Sequence, residues 1–362
     1  MKKIFCFVLS IFFVSFLFSA GNGQNESIKA YRNALICFDN NDYGKALKYS
    51  EDAILYRRQD IEKQIDKLKT SLTSKRVQIA GDSIESVVKV LESRHENESL
   101  EIIYSFTKIK GYDYFNNSMQ TLLKYMNESM VFPEAQKLIA DIYKLEGEYE
   151  FAEEYYMLAL KNSDVLDIPN EKYDILYTLA EISRLQNNME KYEVRLLNIL
   201  TEDKCFKDNA LKSAMHQTVI SDKKGSCEKF FNLYRADSYL SIDAYNQLAE
   251  YYYSMGEKEK ALSFAELSAI TSFSKISEII SSRNTEYSYS GLSKFFQEAA
   301  FYDDVVTWGN DSNAWRSFNI LARYTNELGY KTFARELLVV LVQFTPTKYW
   351  QKDAVLQLEL LD

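Results

Sequence analysis

Histidines, cysteines and paired carboxylates are the residues from which a catalytic or metal site would be built, and this sequence spaces them poorly for either. The two histidines, His95 and His216, fall in separate segments. There is no His-Glu-x-x-His helix, Cys-x-x-Cys pair, phosphate-binding glycine-rich loop or Gly-x-Ser-x-Gly turn. Neighbouring carboxylates such as Glu153-Glu154 and Asp303-Asp304 would diverge on a helix. We therefore expect no enzymatic activity, no cofactor and no metal.

A sequence pattern typical of two helices joined by a short turn recurs along the chain, and these helices would position any binding residues. It is clearest at Ala135–Leu160, where apolar residues at helical spacing precede Gly147 and a second apolar face follows it. Small residues such as Ala140 and Ala152 would let neighbouring helices approach closely. The five clear copies lie at 30–55, 135–160, 176–200, 245–270 and 318–346, with turns at Asp42-Tyr43, Gly147, Asn187, Gly256 and Gly329.

The shared small, large and turn positions resemble the tetratricopeptide repeat family, whose helix pairs are about 34 residues long. The resemblance implies an all-α fold, a right-handed superhelical solenoid of stacked antiparallel helix pairs, over residues 26–362. The chain has only 11 glycines and 3 prolines, which agrees with long helices and few turns. Because each pair would pack only on its neighbours, no internal domain boundary is expected.

The spacing of the clear copies leaves room for degenerate helix pairs. The turns at Asn187, Gly256 and Gly329 are about two repeat periods apart, so we expect weak pairs at 206–237 and 276–309. Upstream, Gly81-Asp82 and Gly111-Tyr112 are candidate turns of two further weak pairs.

One segment departs from the repeat. Lys45–Ala80 contains no glycine or proline and carries Ile61, Ile65, Leu68 and Leu72 at coiled-coil-like spacing. One interpretation is a protruding helix that mediates self-association or partner binding. The other is an elongated second helix whose seam packs on the next repeat. We favour the second because the seam is only two heptads long.

The N-terminal segment has the composition of a secretory signal peptide. Lys2 and Lys3 precede the apolar run Ile4–Leu17, and the small residues Ser19–Gly21 follow. The run is shorter than the about 20 apolar residues of a membrane span, although an uncleaved N-terminal anchor remains the alternative. No cysteine directly follows the run, so we expect no lipid anchor. We predict a signal peptide over 1–21 and export to the periplasm or the extracellular space.

Three cysteines, Cys37, Cys205 and Cys227, follow the signal segment, and an oxidising compartment favours disulfides. If 206–220 is one helix, Cys205 and Cys227 are separated by roughly 20 Å at 1.5 Å per residue. A disulfide requires Cα atoms within about 7 Å. Cys37 lies on an apolar helix face in the first repeat, so we expect no structural disulfide.

The charge balance bears on the kind of partner. Without its signal segment the chain has a net charge near −11. Such a charge argues against nucleic acid or an anionic lipid surface as the main partner, although acidic solvent-facing surfaces also keep a long array soluble.

In the family that the chain resembles, the first helix of each pair lines a concave face, and residues between the packing positions are available to a partner. The corresponding residues here are acidic, polar and aromatic. They are Lys137, Asp141, Tyr177, Glu181, Asn246, Glu250, Tyr253, Asn319 and Arg323. The family's carboxylate clamp, a lysine and an asparagine on one first helix, is not matched because Lys137 is followed one turn later by Asp141.

Together these features predict a protein–protein interaction scaffold of the bacterial cell envelope that binds a protein or peptide segment on its concave face. A ligand-binding accessory protein of an envelope transport system is the first alternative, and an enclosed apolar pocket would favour it. A self-assembling structural protein is the second, and a monomeric mature chain would count against it.

Overall fold

A computed structural model describes residues 26–74, 83–234 and 240–361. Within these ranges all regular structure is helical, apart from an isolated backbone bridge between Ser83 and Ser118. The all-α prediction is therefore confirmed. None of the described helices combines the length and the apolar character that crossing a bilayer requires. The predicted signal peptide and the candidate turn at Gly81-Asp82 lie outside the described residues.

The chain divides into two compact units, unit 1 ending at Ile182 and unit 2 beginning at Ser183. The repeat pattern predicts one array over residues 26–362, and the continuity of that array stays a prediction. In unit 1 the helices are α1 (Glu26–Asp39), α2 (Tyr43–Ser74), α3 (Ile84–Ser93), α4 (Asn97–Tyr114), α5 (Met119–Glu128), α6 (Pro133–Glu146), α7 (Tyr149–Lys161) and most of α8 (Glu171–Leu185).

Unit 2 holds the end of α8 and the helices that follow it. They are α9 (Met189–Ile199), α10 (Lys204–Lys207), α11 (Asn209–Ile220), α12 (Ser226–Phe231), α13 (Ile242–Ser254), α14 (Lys258–Arg283), α15 (Leu292–Phe301), α16 (Asp303–Asp311), α17 (Ala314–Glu327), α18 (Lys331–Phe344) and α19 (Lys348–Glu359).

In all five clear copies, the same backbone turn joins the two helices of the pair. After α6, Gly147 has φ 82° and donates its N–H to Lys144 O at 3.2 Å, while Glu148 donates to Tyr143 O at 2.9 Å. These two hydrogen bonds satisfy carbonyls that the helix end would leave without a partner. The equivalent left-handed residues, with equivalent hydrogen bonds, are Asn41, Asn187, Gly256 and Gly329. In the first copy the left-handed residue therefore comes just before the predicted Asp42-Tyr43.

The weak pairs upstream of α6 have turns at other positions than expected. His95 (φ 55°) separates α3 from α4, and Asn116 (φ 51°) follows α4. Gly111, the predicted turn, instead kinks α4 with φ 72° and ψ 168°. Because histidine and asparagine can adopt the left-handed conformation, neither turn needs a glycine.

The predicted weak pair at 206–237 contains α11 and the six-residue α12. The single helix assumed over 206–220 is wrong, because α10 ends at Lys207 and α11 begins at Asn209. Asp208 lies between them and accepts the Leu211 N–H at 2.9 Å, which caps α11. The three cysteines in the described ranges are thiols rather than disulfides, with Cys205 and Cys227 buried.

The two helices in the predicted pair at 276–309 begin later than expected. Helix α14 continues through this region to Arg283, and α15 and α16 follow it, joined at Tyr302. The helix extends because Ile276 and Ile280 are fully buried and continue its apolar surface. Helix α14 packs against both α13 and α17.

The seam on α2 is buried, which confirms the favoured interpretation of that helix. Ile61, Ile65, Leu68 and Leu72 are at most 3% exposed and lie in one core cluster with apolar residues of α3, α4 and α5. The alternative of a protruding helix is therefore wrong, because the seam is already covered within unit 1.

Candidate partner-binding surface

Carboxylates and one lysine from three neighbouring segments of unit 1 form a surface that we call the acidic strip. Helix α6 contributes Glu134, Lys137 and Asp141, which lie on one face because they are spaced by three and four residues. The loop after α7 contributes Asp167, and the first turn of α8 contributes two more. The acidic strip is Glu134, Lys137, Asp141, Asp167, Glu171 and Asp174.

Hydrogen bonds fix the α6 part of the acidic strip. Lys137 Nζ lies 3.1 Å from Asp141 Oδ2, an ion pair one helical turn apart. Asp141 also accepts the hydroxyl hydrogen of the buried Tyr156 on α7. Glu134 Oε1 accepts the Asp167 N–H at 2.7 Å, so a side chain of α6 positions the loop before α8. The orientation of the strip is therefore set by packing within the unit.

The carboxyl groups of Glu134, Asp167, Glu171 and Asp174 ionise with difficulty. Burial raises the pKa of Glu134 to about 8, and the Asp167 carboxylate adds to the effect. Burial likewise raises the pKa of Asp167, although Arg57 and Lys110 oppose it. Burial also raises the carboxyl pKa values of Glu171 and Asp174 on α8. The positive charge of Lys137 on α6 is the main effect that opposes this rise.

The raised pKa values of Lys137 and Tyr31 reflect the negative potential of the strip. Although burial acts to lower the pKa of Lys137, the Asp141 and Glu171 carboxylates outweigh it and raise that pKa. Tyr31 on α1 has a pKa raised well above its usual value by burial and then by Glu134 and other strip carboxylates. Both shifts indicate that the surface favours positive charge.

Positive charge on the strip itself is scarce. Neither Glu171 nor Asp174 forms a salt bridge with a described residue, and Lys137 is the one charge that attracts their carboxylates while neighbouring carboxylates repel them. No group of three histidine, cysteine or carboxylate side chains in the described ranges is placed to hold a metal ion. A lysine or arginine side chain, which hydrogen-bonds single carboxylates, suits this arrangement better than a chelated ion.

Four of the nine residues expected to line the groove lie in or beside the acidic strip. Lys137 and Asp141 belong to it. Tyr177 and Glu181 follow on α8 and are half-buried. Glu181 forms an ion pair with Lys144 of α6, which extends the contact between the two helices.

The other five expected residues lie in unit 2, and two of them are buried, so their assignment to the groove is wrong. Asn246 is fully buried and donates to Ser317 Oγ at 3.1 Å, while Ser268 Oγ donates to Asn246 Oδ1 at 2.8 Å. Asn319 is 1% exposed and donates to Trp315 O at 3.1 Å. Small serines let α13, α14 and α17 approach so closely that the asparagines lie between helices.

The remaining three, Glu250, Tyr253 and Arg323, lie at the surface of unit 2 but are already partnered within it. Glu250 forms an ion pair with Arg316. Tyr253 stacks on Tyr324 with ring centroids 4.6 Å apart. Arg323 pairs with Asp353 at 3.0 Å. This surface is balanced in charge, unlike the acidic strip.

Sequence reasoning did not identify Glu134, Asp167, Glu171 and Asp174. A signal for three of them was present, because 164–174 holds four carboxylates in the eleven positions of the sequence DVLDIPNEKYD. That density lay between two clear repeats, in a segment with no assigned role.

Unit 2 contains a separate cleft of about 530 Å³ between α18 and the starts of α12 and α15. Its apolar lining includes Leu292, Val339 and Val340, and Lys331 and Arg335 lie one turn apart on α18. Two carboxylates in the cleft are engaged by backbone N–H groups. Glu336 accepts from Gly225 at 2.6 Å and from Cys227 at 3.2 Å, and Glu228 accepts from Leu292 at 2.8 Å.

Cys227 lines this cleft but is not a nucleophile. Its side chain is buried, and burial, with the nearby Glu336 and Glu228 carboxylates, raises the pKa of the thiol. Because the thiolate is the reactive form, such a cysteine is inert at neutral pH.

No protein-family model matches the chain. An uncharacterized protein of Treponema pallidum (strain Nichols) is 27% identical over 333 residues, which cover 90% of this chain and 88% of that protein. A solved circular tandem repeat protein, with novel repeat topology and enhanced subunit contact surfaces, is 12% identical and covers 92% of this chain and 69% of its own, with a TM-score of 0.27. A TM-score this low says nothing about the function of this chain, which is therefore inferred from its own residues.

Proposed function

We propose that this protein is a non-enzymatic interaction scaffold of the bacterial cell envelope, which binds a basic segment of a partner protein on the acidic strip. The observation that carries the proposal is the unbalanced charge of the strip. Glu171 and Asp174 have no salt bridge to a described residue, whereas the corresponding surface of unit 2 has its charges paired.

A basic segment is the partner that this surface would bind most favourably. Asp167, Glu171 and Asp174 have raised pKa values mainly because burial disfavours their charged forms, and neighbouring carboxylates add to this effect for Glu171 and Asp174. A lysine or arginine side chain placed among these carboxyl groups stabilises their charged forms, so binding releases protons. Affinity should therefore rise as increasing pH ionises these carboxyl groups, and it should fall as added salt screens the charges.

The architecture supports a scaffold. Five helix pairs close with the same pair of turn hydrogen bonds, and the sequence resembles tetratricopeptide repeats. We propose that the pairs stack as a right-handed superhelix whose first helices, among them α6 and α8, line the binding face. The N-terminal sequence supports export through a signal peptide, which mass spectrometry of the exported chain would test by finding an N-terminus near residue 22.

The binding proposal is tested with a fluorescein-labelled peptide of alternating lysine and alanine and its glutamate counterpart, by fluorescence anisotropy. The lysine peptide should bind, and the glutamate peptide should not. The double variant Glu171→Gln with Asp174→Asn should weaken lysine-peptide binding about tenfold, which corresponds to about 1.4 kcal/mol.

The matched control removes two carboxylates from an exposed part of the same unit. Glu146→Gln with Glu154→Gln makes the same change in net charge on α6 and α7, where both side chains face solvent. This control should bind as the unmodified protein does. Equal weakening by both double variants, or equal binding of both peptides, would contradict the proposal.

A second candidate function, that of an accessory protein for an apolar anionic ligand, is favoured by the unit 2 cleft. Its apolar lining and the cations Lys331 and Arg335 suit an amphipathic anion. Titration with 1-anilinonaphthalene-8-sulfonate distinguishes the two. Saturable binding of one dye per chain that weakens in Lys331→Gln and Arg335→Gln would support this candidate, and dye binding unaffected by either change would eliminate it.

A further inference from the structure

Helix α19 carries an exposed apolar stripe on the side that faces away from the core of unit 2. Tyr349, Leu356 and Leu360, the last of which caps the end of the helix, are 69%, 60% and 80% exposed. Their spacing of seven and four residues places them on one side of the helix, along about 17 Å of its length. The core-facing side of α19, which includes the fully buried Ala354, packs on α17 and α18. The stripe is therefore additional to the surface that α19 uses for folding.

Charged residues flank the stripe unequally. On one flank, Lys348, Lys352 and Glu359 are exposed, and neither Lys352 nor Glu359 pairs with a described residue. On the other flank, Asp353 lies 3.0 Å from Arg323 of α17. Only the first flank therefore offers unpaired charges, with lysines toward its start and a glutamate toward its end.

We infer that the stripe pairs with the same stripe of a second copy of this chain, with the two α19 helices antiparallel about a two-fold axis near Leu356. Antiparallel helices bring like flanks together, so that Lys352 of each copy faces Glu359 of the other. The apolar side chains then cover one another beside two identical ion pairs, which lie together along one flank. Parallel pairing would set the unpaired flank against the flank that Arg323 already occupies.

The size of the stripe sets the strength of this association. At roughly 100 Å² for each of its three side chains, the stripe buries about 300 Å² per copy. A standard stable interface buries about 800 Å² per partner. We therefore expect a reversible dimer with a dissociation constant in the micromolar range. This surface shares no residue with the acidic strip.

Sedimentation velocity on the purified chain from about 1 to 100 µM tests the pairing through charge reversal. Lys352→Glu and Glu359→Lys each place like charges opposite one another, so each should weaken association about tenfold or more. The double variant restores opposite charges across the axis, as does an equimolar mixture of the two single variants. Both should associate to within about threefold of the unmodified protein.

The rescue distinguishes pairing from an effect on folding. Lys352 and Glu359 are seven residues apart on one helix, about 10 Å along its axis, so the double change restores no bond within a chain. Leu356→Gln should lower association while the far-ultraviolet circular dichroism stays unchanged, because this side chain is exposed. A chain that stays monomeric at 100 µM, single variants that associate normally, or a double variant that fails to recover would overturn the inference.

Discussion

Replacing Glu134 by glutamine should remove a pH-dependent loss of stability from unit 1. Glu134 is 7% exposed, and its Oε1 accepts the Asp167 N–H at 2.7 Å. Burial and the Asp167 carboxylate raise its pKa from 4.5 to about 8. A carboxyl whose pKa is higher in the folded state stabilises the fold fully below its unfolded pKa. That contribution is lost as pH rises through the folded value.

The magnitude follows from the shift in pKa. At about 1.4 kcal/mol per pKa unit, a rise from 4.5 to about 8 corresponds to about 5 kcal/mol between acidic and alkaline pH. Asp167 titrates together with Glu134 and shares this energy, so we expect about 2–5 kcal/mol for the single replacement. Glutamine keeps the acceptor oxygen and cannot ionise. The Glu134→Gln variant should match the unmodified protein near pH 5 and exceed its free energy of unfolding by that amount at pH 9.

The assay is urea unfolding followed by far-ultraviolet circular dichroism from pH 5 to 9 at constant ionic strength. The three tryptophans, Trp308, Trp315 and Trp350, lie in unit 2, so their fluorescence provides a separate record of that unit. Glu146→Gln, an exposed carboxylate on the same helix, is the control and should keep the pH dependence of the unmodified protein. Parallel pH profiles for Glu134→Gln and the unmodified protein would refute the reasoning.

Two further predictions concern a turn and a buried ion pair. Gly256→Ala should lower the free energy of unfolding by about 1 kcal/mol, because the φ of 80° at this position disfavours a Cβ atom. Gly44→Ala, within a helix, should raise the free energy of unfolding slightly. Equal shifts in melting temperature for the two variants would contradict the turn at Gly256. His216 Nδ1 lies 3.3 Å from the buried Glu266 carboxylate, whose hydrogen bond raises the pKa of the histidine. Its stabilisation is present below the unfolded pKa and declines as pH rises through the folded pKa, so His216→Ala should lower the melting temperature more at pH 6 than at pH 8.5. An equal decrease at the two pH values would contradict this prediction.

The placement of helices and turns was largely predictable, because both depend on residues close together in the chain. Gly147, Gly256 and Gly329 predicted left-handed turns, since glycine adopts positive φ without a steric cost. His95 and Asn116 form turns of the same kind and were missed, because these residue types are common outside turns. The seam of α2 was also readable, since a short apolar stripe without a partner would be costly in water.

The candidate binding surface was predictable only in part. Lys137 and Asp141 were identified because they lie on one face of a recognisable first helix. Asn246 satisfied the same rule and is buried, since the rule ignores how closely the serines of α14 and α17 let three helices approach. Residues at equivalent repeat positions can therefore differ fully in exposure.

The sequence by itself determined that this chain forms helix pairs and where most of them turn, because helical hydrogen bonds and left-handed turns link neighbours in the chain. Only the tertiary structure decided that Glu134 and Asp167 share one environment with Glu171. Electrostatic energy depends on distance and burial in space, and these three residues reach that environment from a helix, a loop and a second helix. The charge and the solvation of a site are therefore properties of the packed unit.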